Sequence, residues 1–126
     1  MKSTICALVI LVILIGGGII FSNELDDFSS ELIALTNEVY MLSVGGDYDT
    51  AKKQLDRVDE LLEEKKVLIG SMIDHAEFEK IELNFQRLRV YVSEQIPTQI
   101  KTYCNVLNYQ IELLPKDYML KPENIL

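Results

Sequence analysis

The chain has 126 residues and a formal net charge of −8, which suits one small domain and at most one appendage. All 20 acidic residues and 11 of the 12 basic residues follow residue 22, so this part carries 11 − 20 = −9 formal charges. An acidic surface of this kind repels phosphate backbones, which argues against nucleic-acid binding.

The first predicted element is an apolar segment at the amino terminus. No charged residue occurs from Ser3 to Asn23, and residues 5–21 are nearly all aliphatic apart from three glycines. A helix needs about 20 apolar residues to cross a membrane, and the cleavage site of a signal peptide is missing after this segment. The pattern predicts an uncleaved transmembrane anchor over residues 1–22. Lys2 lies at its amino-terminal end, so the positive-inside rule predicts a cytoplasmic amino terminus and an extracytoplasmic domain at the cell membrane.

Two amphipathic helices are predicted directly after the anchor, from apolar residues spaced three and four apart. The first covers residues 24–44 and ends at Gly45 and Gly46, which suit a left-handed cap. Asp47 is placed to cap the second helix, which runs through Leu68. The apolar positions expected in the core of these helices are Leu25, Phe28, Leu32, Leu35, Val39, Leu42, Ala51, Leu55, Val58 and Leu62.

Two further amphipathic helices complete the predicted domain. The third begins at Asp74, and the fourth begins at Pro97, whose fixed φ suits a first helical position. Pro115 is predicted to end the fourth helix behind Leu114. The expected core positions here are Phe78, Ile81, Phe85, Leu88, Val92, Ile100, Tyr103, Leu107, Ile111 and Leu114.

These elements together predict an all-α fold. An N-terminal transmembrane helix is followed by a small antiparallel four-helix domain over residues 23–115, built as a bundle or as two stacked helical hairpins. Residues 116–126 form a tail. Cys104 lies on an apolar stripe and is predicted to be a core residue. Cys6 lies in the predicted anchor, so we expect no intramolecular disulfide.

The single histidine of the chain lies in the stretch MIDHAEF. Asp74 followed by Glu77 fits a capping box, so the stretch predicts the start of a helix. One alternative is a proton-sensitive or partner-contacting His75; another is a metal site of Asp74, His75 and Glu79. A structural zinc site takes four ligands, with more nitrogen or sulfur than this chain offers, and a catalytic dyad lacks an aligned nucleophile. We therefore expect no catalytic residue, no metal site and no cofactor.

Four features of the chain carry a resemblance to a known family: the apolar segment 5–21, GDYDTAKKQL at 46–55, IDHAEF at 73–78 and KPENIL at 121–126. In these features the chain resembles an uncharacterised family of short, singly anchored bacterial membrane proteins, found mainly in Gram-positive spore formers and known only as a domain of unknown function. The resemblance implies an all-helical external domain with no known activity. It also implies interest in Asp74, His75, Asn124, Ile125 and Leu126, and it favours a structural or docking role for the tail.

Two functions from different classes are predicted. The first is a non-enzymatic accessory protein, anchored in the membrane, whose acidic helical ectodomain binds another membrane or envelope protein through a helix face or groove. Its candidate partner-contact or structural positions are Asp74, His75, Glu77, Asn124, Ile125 and Leu126. The second is a ligand-sensing bundle that acts through a partner. The tyrosines that would line its pocket are Tyr40, Tyr48, Tyr91, Tyr103 and Tyr109.

Overall fold

The computed structural model describes residues 2–118, without the side chains of residues 18, 19, 21, 22, 72 and 116–118. The described range consists of helices and short connections and contains no strand, so the predicted all-α class is confirmed. The helices are Lys2–Val44 (α1), Tyr48–Met72 (α2), His75–Ser93 (α3) and Pro97–Tyr118 (α4).

The predicted anchor and the first predicted bundle helix form one continuous helix, α1, of 43 residues. Among the residues that the structure describes, no helix has a stretch that is long and apolar enough to cross a membrane. This finding overturns the predicted N-terminal transmembrane helix. The apolar segment is instead the amino-terminal part of α1, which continues without a break into the charged residues Glu24, Asp26 and Asp27.

The amino-terminal half of α1 lies outside the packed core. The large aliphatic side chains at position 5 and at positions 8–15 are between 52% and 68% exposed. Among the side chains of α1 that the structure describes, Leu25 is the first that is buried in the core. The core-forming part of α1 therefore runs from Leu25 to its carboxyl end.

The four helices close into a ring around one core. Consecutive helices are antiparallel neighbours, and α1 packs against both α2 and α4. Ion pairs join neighbouring helices: Lys65 Nζ of α2 lies 3.5 Å from Glu24 Oε2 of α1. Arg89 of α3 reaches Asp56 and Asp59 of α2 at 2.9 and 2.6 Å. Since such partly exposed pairs contribute little free energy, burial in the shared core supplies most of the stability.

The buried face of α1 is rotated relative to the predicted stripe. Leu35 and Leu42 are only half-buried. Ser29, Thr36 and Ser43, spaced seven residues apart, are instead at most 5% exposed. The Thr36 carbonyl on this stripe faces Cys104 of α4, and the two leucines line clefts shared with α2.

Two of the three hydroxyl groups on this buried face are paired within the helix, whereas Ser29 Oγ is buried with no hydrogen-bond partner among the described residues. Thr36 Oγ1 donates to the carbonyl of Leu32, and Ser43 Oγ donates to the carbonyl of Val39, both at 2.7 Å. Because each of these two hydroxyls bonds the backbone four residues earlier, its burial leaves it paired. The small side chains also allow close approach of α4, where Cys104 Sγ lies 3.9 Å from the Thr36 carbonyl oxygen.

The end of α1 has the left-handed glycine cap that the sequence predicts. Gly46 has φ of +80°. The N–H of Asp47 donates to the Leu42 carbonyl at 2.9 Å, and the N–H of Gly46 donates to the Ser43 carbonyl at 3.1 Å. These two bonds define a Schellman motif, which satisfies carbonyls that a helix end otherwise leaves unpaired.

The same motif ends α3, with a non-glycine residue in the left-handed position. Gln95 has φ of +56°. The N–H of Ile96 donates to the Tyr91 carbonyl at 3.1 Å, and the N–H of Gln95 donates to the Val92 carbonyl at 3.1 Å. A side chain with a Cβ is disfavoured in this conformation, so α3 ends at a conformational cost that α1 avoids.

Two helices run further than the sequence predicts. Helix α2 continues past Leu68 to Met72, and α4 continues through Pro115 to Tyr118. The prediction that Pro115 ends the fourth helix is therefore wrong. Pro115 begins the final turn, where it removes the N–H that would donate to the Ile111 carbonyl, and only three helical residues follow it.

Candidate functional site

The predicted helix start at Asp74 is confirmed. Asp74 is the N-cap of α3, and its Oδ1 accepts the N–H of Ala76 at 3.0 Å. The N–H groups of Glu77 and Phe78 donate to the Asp74 carbonyl at 3.0 and 3.2 Å. The carboxylates of Asp74 and Glu77 therefore lie near the positive end of the α3 dipole. The stretch fixes where α3 begins, and a partner-contact role for Asp74, His75 and Glu77 stays a prediction.

His75 makes a surface contact with an acid one turn further along α3. Its Nε2 lies 2.9 Å from Glu79 Oε1, and the two side chains are 71% and 62% exposed. An exposed pair at this spacing contributes only a few tenths of a kcal/mol. Among the residues that the structure describes, no three His, Cys, Asp or Glu side chains come close enough together to hold a metal ion.

The predicted docking residues of the tail, Asn124, Ile125 and Leu126, lie outside the described residues. Their role stays a prediction.

The tyrosines of the predicted ligand pocket do not surround one common space. Tyr91 and Tyr103 stack on each other across α3 and α4, with ring centroids 5.3 Å apart. Tyr40 and Tyr48 are half-buried against the core, Tyr109 is 67% exposed, and no tyrosine lines a described cleft. Ligand sensing stays a prediction, which the melting temperature of the chain across a panel of metabolites and metals would test.

Cys104 is a core residue, as the sequence predicts. Its side chain is 2% exposed, and burial raises the pKa of its thiol to about 12. Because the thiolate is the reactive form of cysteine, this thiol is held in its unreactive state at neutral pH.

A groove that combines apolar and acidic side chains lies on the surface between α1 and α2. Two clefts follow one another along it, with volumes of about 270 and 390 Å³. We call this feature the α1–α2 groove. Its α1 wall consists of Glu31, Leu35, Glu38, Met41 and Leu42, and its α2 wall consists of Thr50, Gln54, Arg57, Glu60, Leu61 and Glu64.

The floor of the α1–α2 groove is apolar. Leu61 is 7% exposed, and Leu35 and Leu42 are half-buried against the core. Met41 stands at one end and is 66% exposed. A methionine side chain is flexible and polarizable, so it adapts to the shape of a bound apolar group.

The rim of the α1–α2 groove is acidic. Glu31, Glu38, Glu60 and Glu64 are all exposed, and Arg57 is the one basic residue lining the groove. Four carboxylates and one guanidinium give 1 − 4 = −3 formal charges. Glu60 and Glu64 lie four residues apart on α2, where like charges destabilise a helix slightly. The rim would therefore favour a cation.

An unpaired acceptor lies at the apolar end of the groove. Gln54 Oε1 is buried, and no described protein group donates a hydrogen bond to it. A buried acceptor left unpaired costs about 1–3 kcal/mol.

Sequence reasoning missed the groove. The spacing of the apolar residues predicts Leu35 and Leu42 in the core, whereas the structure leaves them half-buried at its edge. The groove arises only when Glu31 is brought opposite Glu60 and Glu64 in one cleft and Glu38 is brought opposite Gln54 in the other. No local pattern carries that juxtaposition, because it depends on the register of two antiparallel helices.

A family model described as "Domain of unknown function (DUF4363)" matches residues 19–125. The match fits the uncharacterised family that the sequence resembles, and it carries neither membrane anchoring nor a range of organisms. No curated protein and no solved structure matches the chain.

Proposed function

The chain belongs to the family described as "Domain of unknown function (DUF4363)", and we propose that it is a non-enzymatic accessory protein whose acidic helical bundle binds another protein. The observation that carries this proposal is the α1–α2 groove, with its apolar floor and acidic rim. The sequence-based expectation is a membrane or envelope protein as the partner. The extracytoplasmic location of the chain stays a prediction, because it follows only from the predicted transmembrane anchor.

The composition of the groove supports protein binding. Protein interfaces combine an apolar centre, enriched in methionine and aromatic residues, with a polar rim. In the α1–α2 groove, Leu35, Leu42 and Met41 supply the apolar centre, and the glutamates supply the rim. An exposed apolar strip bordered by charges is a common mark of an interaction surface.

Site-specific photo-crosslinking in cells tests the proposal. A photoreactive amino acid is placed at Met41 or Glu64, which line the groove, and at Arg87 or Lys101, which are exposed on other helices. We expect a discrete crosslinked band from the two groove positions and none from the two control positions. Mass spectrometry of that band identifies the partner.

The outcomes of the crosslinking separate two statements. Absence of a band from all four positions, in cells where the chain is folded and abundant, contradicts the interaction function. A band from Arg87 or Lys101 alone keeps the interaction function and removes the groove as its site.

A further inference from the structure

We infer that the α1–α2 groove receives an amphipathic helix whose docking face carries apolar side chains flanked by lysine or arginine. This inference rests on the proposed interaction function and adds the chemistry of the partner.

The apolar floor has the spacing of a helix-binding groove. Leu35 and Leu42 of α1 are seven residues apart, which is about 10.5 Å along a helix. A helix lying along the groove presents side chains at positions i and i+7 with that same separation. One apolar side chain would contact Leu35 and Leu61, and the second would contact Leu42 and Met41.

The rim sets the charge of the partner. Glu31 and Glu38 line one side of the groove, and Glu60 and Glu64 line the other. Lysine or arginine residues beside the apolar anchors of a bound helix would lie within reach of these carboxylates. Opposite charges at a rim speed association and select among partners more than they add affinity.

The acidic rim also argues against other occupants. Nucleic acids and anionic lipid surfaces carry the same sign of charge as the rim and are repelled by it. A second copy of this groove would place glutamates opposite glutamates. A basic segment is the occupant whose charge complements the rim.

A direct binding assay tests this chemistry with the full chain. The probe is a fluorescein-labelled peptide of about 15 residues, long enough to form a helix, with leucine at positions i and i+7 and lysine beside each leucine. A second peptide carries glutamate in place of each lysine. We expect the lysine peptide to bind with an affinity that falls as NaCl is raised and the glutamate peptide not to bind.

Matched variants locate the binding. Glu31→Gln, Glu38→Gln and Glu64→Gln together remove three rim charges. Their control is the triple change Glu63→Gln, Glu94→Gln and Glu112→Gln, which removes three exposed carboxylates away from the groove. We expect the rim variant to bind the lysine peptide about tenfold more weakly, since each exposed ion pair accounts for a few-fold change. The control variant should bind it within about twofold of the unchanged chain.

The apolar contact has its own matched pair. Met41→Ser removes an exposed apolar side chain in the groove, and Val67→Ser removes one that is 84% exposed elsewhere on α2. We expect a loss of about fivefold for Met41→Ser and none for Val67→Ser, because only Met41 would be buried by the peptide.

Several results would overturn the inference. Equal binding of the lysine and glutamate peptides would do so, as would unchanged affinity of the rim variant or equal losses in both triple variants. If the peptide bound the exposed apolar residues of α1 instead of the groove, its affinity for the rim variant would be unchanged. Failure here alongside a discrete crosslink from Met41 or Glu64 would reject the basic helix while keeping the interaction function.

Discussion

Cys104 is buried and Asp47 is exposed, and the surroundings of each residue shift its pKa. Burial raises the pKa of the Cys104 thiol to about 12. The side-chain and backbone hydrogen bonds from Thr50 lower the pKa of the Asp47 carboxyl, and the nearby Lys53 charge adds to this effect. The folded chain therefore favours a protonated Cys104 and an ionised Asp47. Cys104 makes the stability depend on pH in the alkaline range, and Asp47 does so in the acidic range.

Alkaline pH should destabilise the fold through Cys104. The folded pKa is about 12 against an ordinary value of 9.0, so the contribution is complete below pH 9 and is lost as the pH rises toward 12. The slope is at most about 1.4 kcal/mol per pH unit. Urea unfolding of the unchanged chain and of Cys104→Ala between about pH 8 and 11 should show a difference in stability that shrinks as the pH rises. A constant difference over this range would contradict the prediction.

The cap at Asp47 should matter at neutral pH and lose its charge-dependent part in acid. Asp47 accepts the N–H of Thr50 at 3.1 Å and the hydroxyl of Thr50 at 2.7 Å. We expect Asp47→Ala to lower the melting temperature by roughly 5 °C and Asp47→Asn, which keeps a capping oxygen, to lower it less.

The pH dependence of the Asp47 variants has a definite sign. Because the folded pKa lies below the ordinary value of 3.8, the stabilisation is present above that value and is lost as the pH falls through the folded pKa. The melting temperatures of the unchanged chain and of Asp47→Asn, followed by circular dichroism, should therefore converge in acid. A gap that widens in acid would show that the Asp47 charge plays no such part.

At the scale of elements, α1 and α3 end in the same hydrogen-bonded motif with different residues in its left-handed position. Gly46 occupies that position after α1, and Gln95 occupies it after α3. A Cβ added at Gly46 would meet no atom within 4 Å. The difference between glycine and another residue here is therefore conformational and not steric crowding by neighbours.

Exchanging the residues at these two ends should shift stability in opposite directions. We expect Gln95→Gly to raise the free energy of unfolding by about 1 kcal/mol and Gly46→Ala to lower it by a similar amount, since a Cβ disfavours positive φ. Urea unfolding measures both changes. A loss of stability in Gln95→Gly would mean that the greater freedom of glycine in the unfolded chain outweighs the relief of the backbone.

At the scale of the whole molecule, the bundle should fold without the amino-terminal part of α1. Among the described side chains, Leu25 is the first that is buried in the core, and the ion pair of Glu24 with Lys65 lies at the same end of the bundle. Removing residues 1–22 should leave the melting temperature within a few degrees of that of the full chain, because no described core contact is lost.

A longer deletion provides the control for this prediction. Removing residues 1–32 takes away Leu25, Phe28 and Leu32, which are at most 1% exposed. Phe28 also stacks on Phe78 of α3 at 6.3 Å. We expect this deletion to abolish cooperative unfolding, since each large core side chain contributes several kcal/mol. Loss of cooperative melting in the shorter deletion would place the domain boundary before residue 23.

The sequence by itself determined the helical class, the number of bundle helices and most of their ends. Periodic apolar residues, Gly46, Asp47, Asp74 and Pro97 act within one or two turns of the chain, so their effects can be predicted without knowing the fold. The same local rules failed at Gln95, where no residue type signals a left-handed cap. They also failed at Pro115, where the helix continues for three residues past the proline.

Tertiary structure alone decided which face of α1 is buried and where the groove lies. Ser29, Thr36 and Ser43 are buried, and Leu35 and Leu42 are left half-buried beside α2. The α1–α2 groove depends on the register that sets the glutamates of the two helices opposite one another. Register and rotation are fixed by contacts between residues that are distant in sequence, and a periodic pattern along one helix does not contain that information.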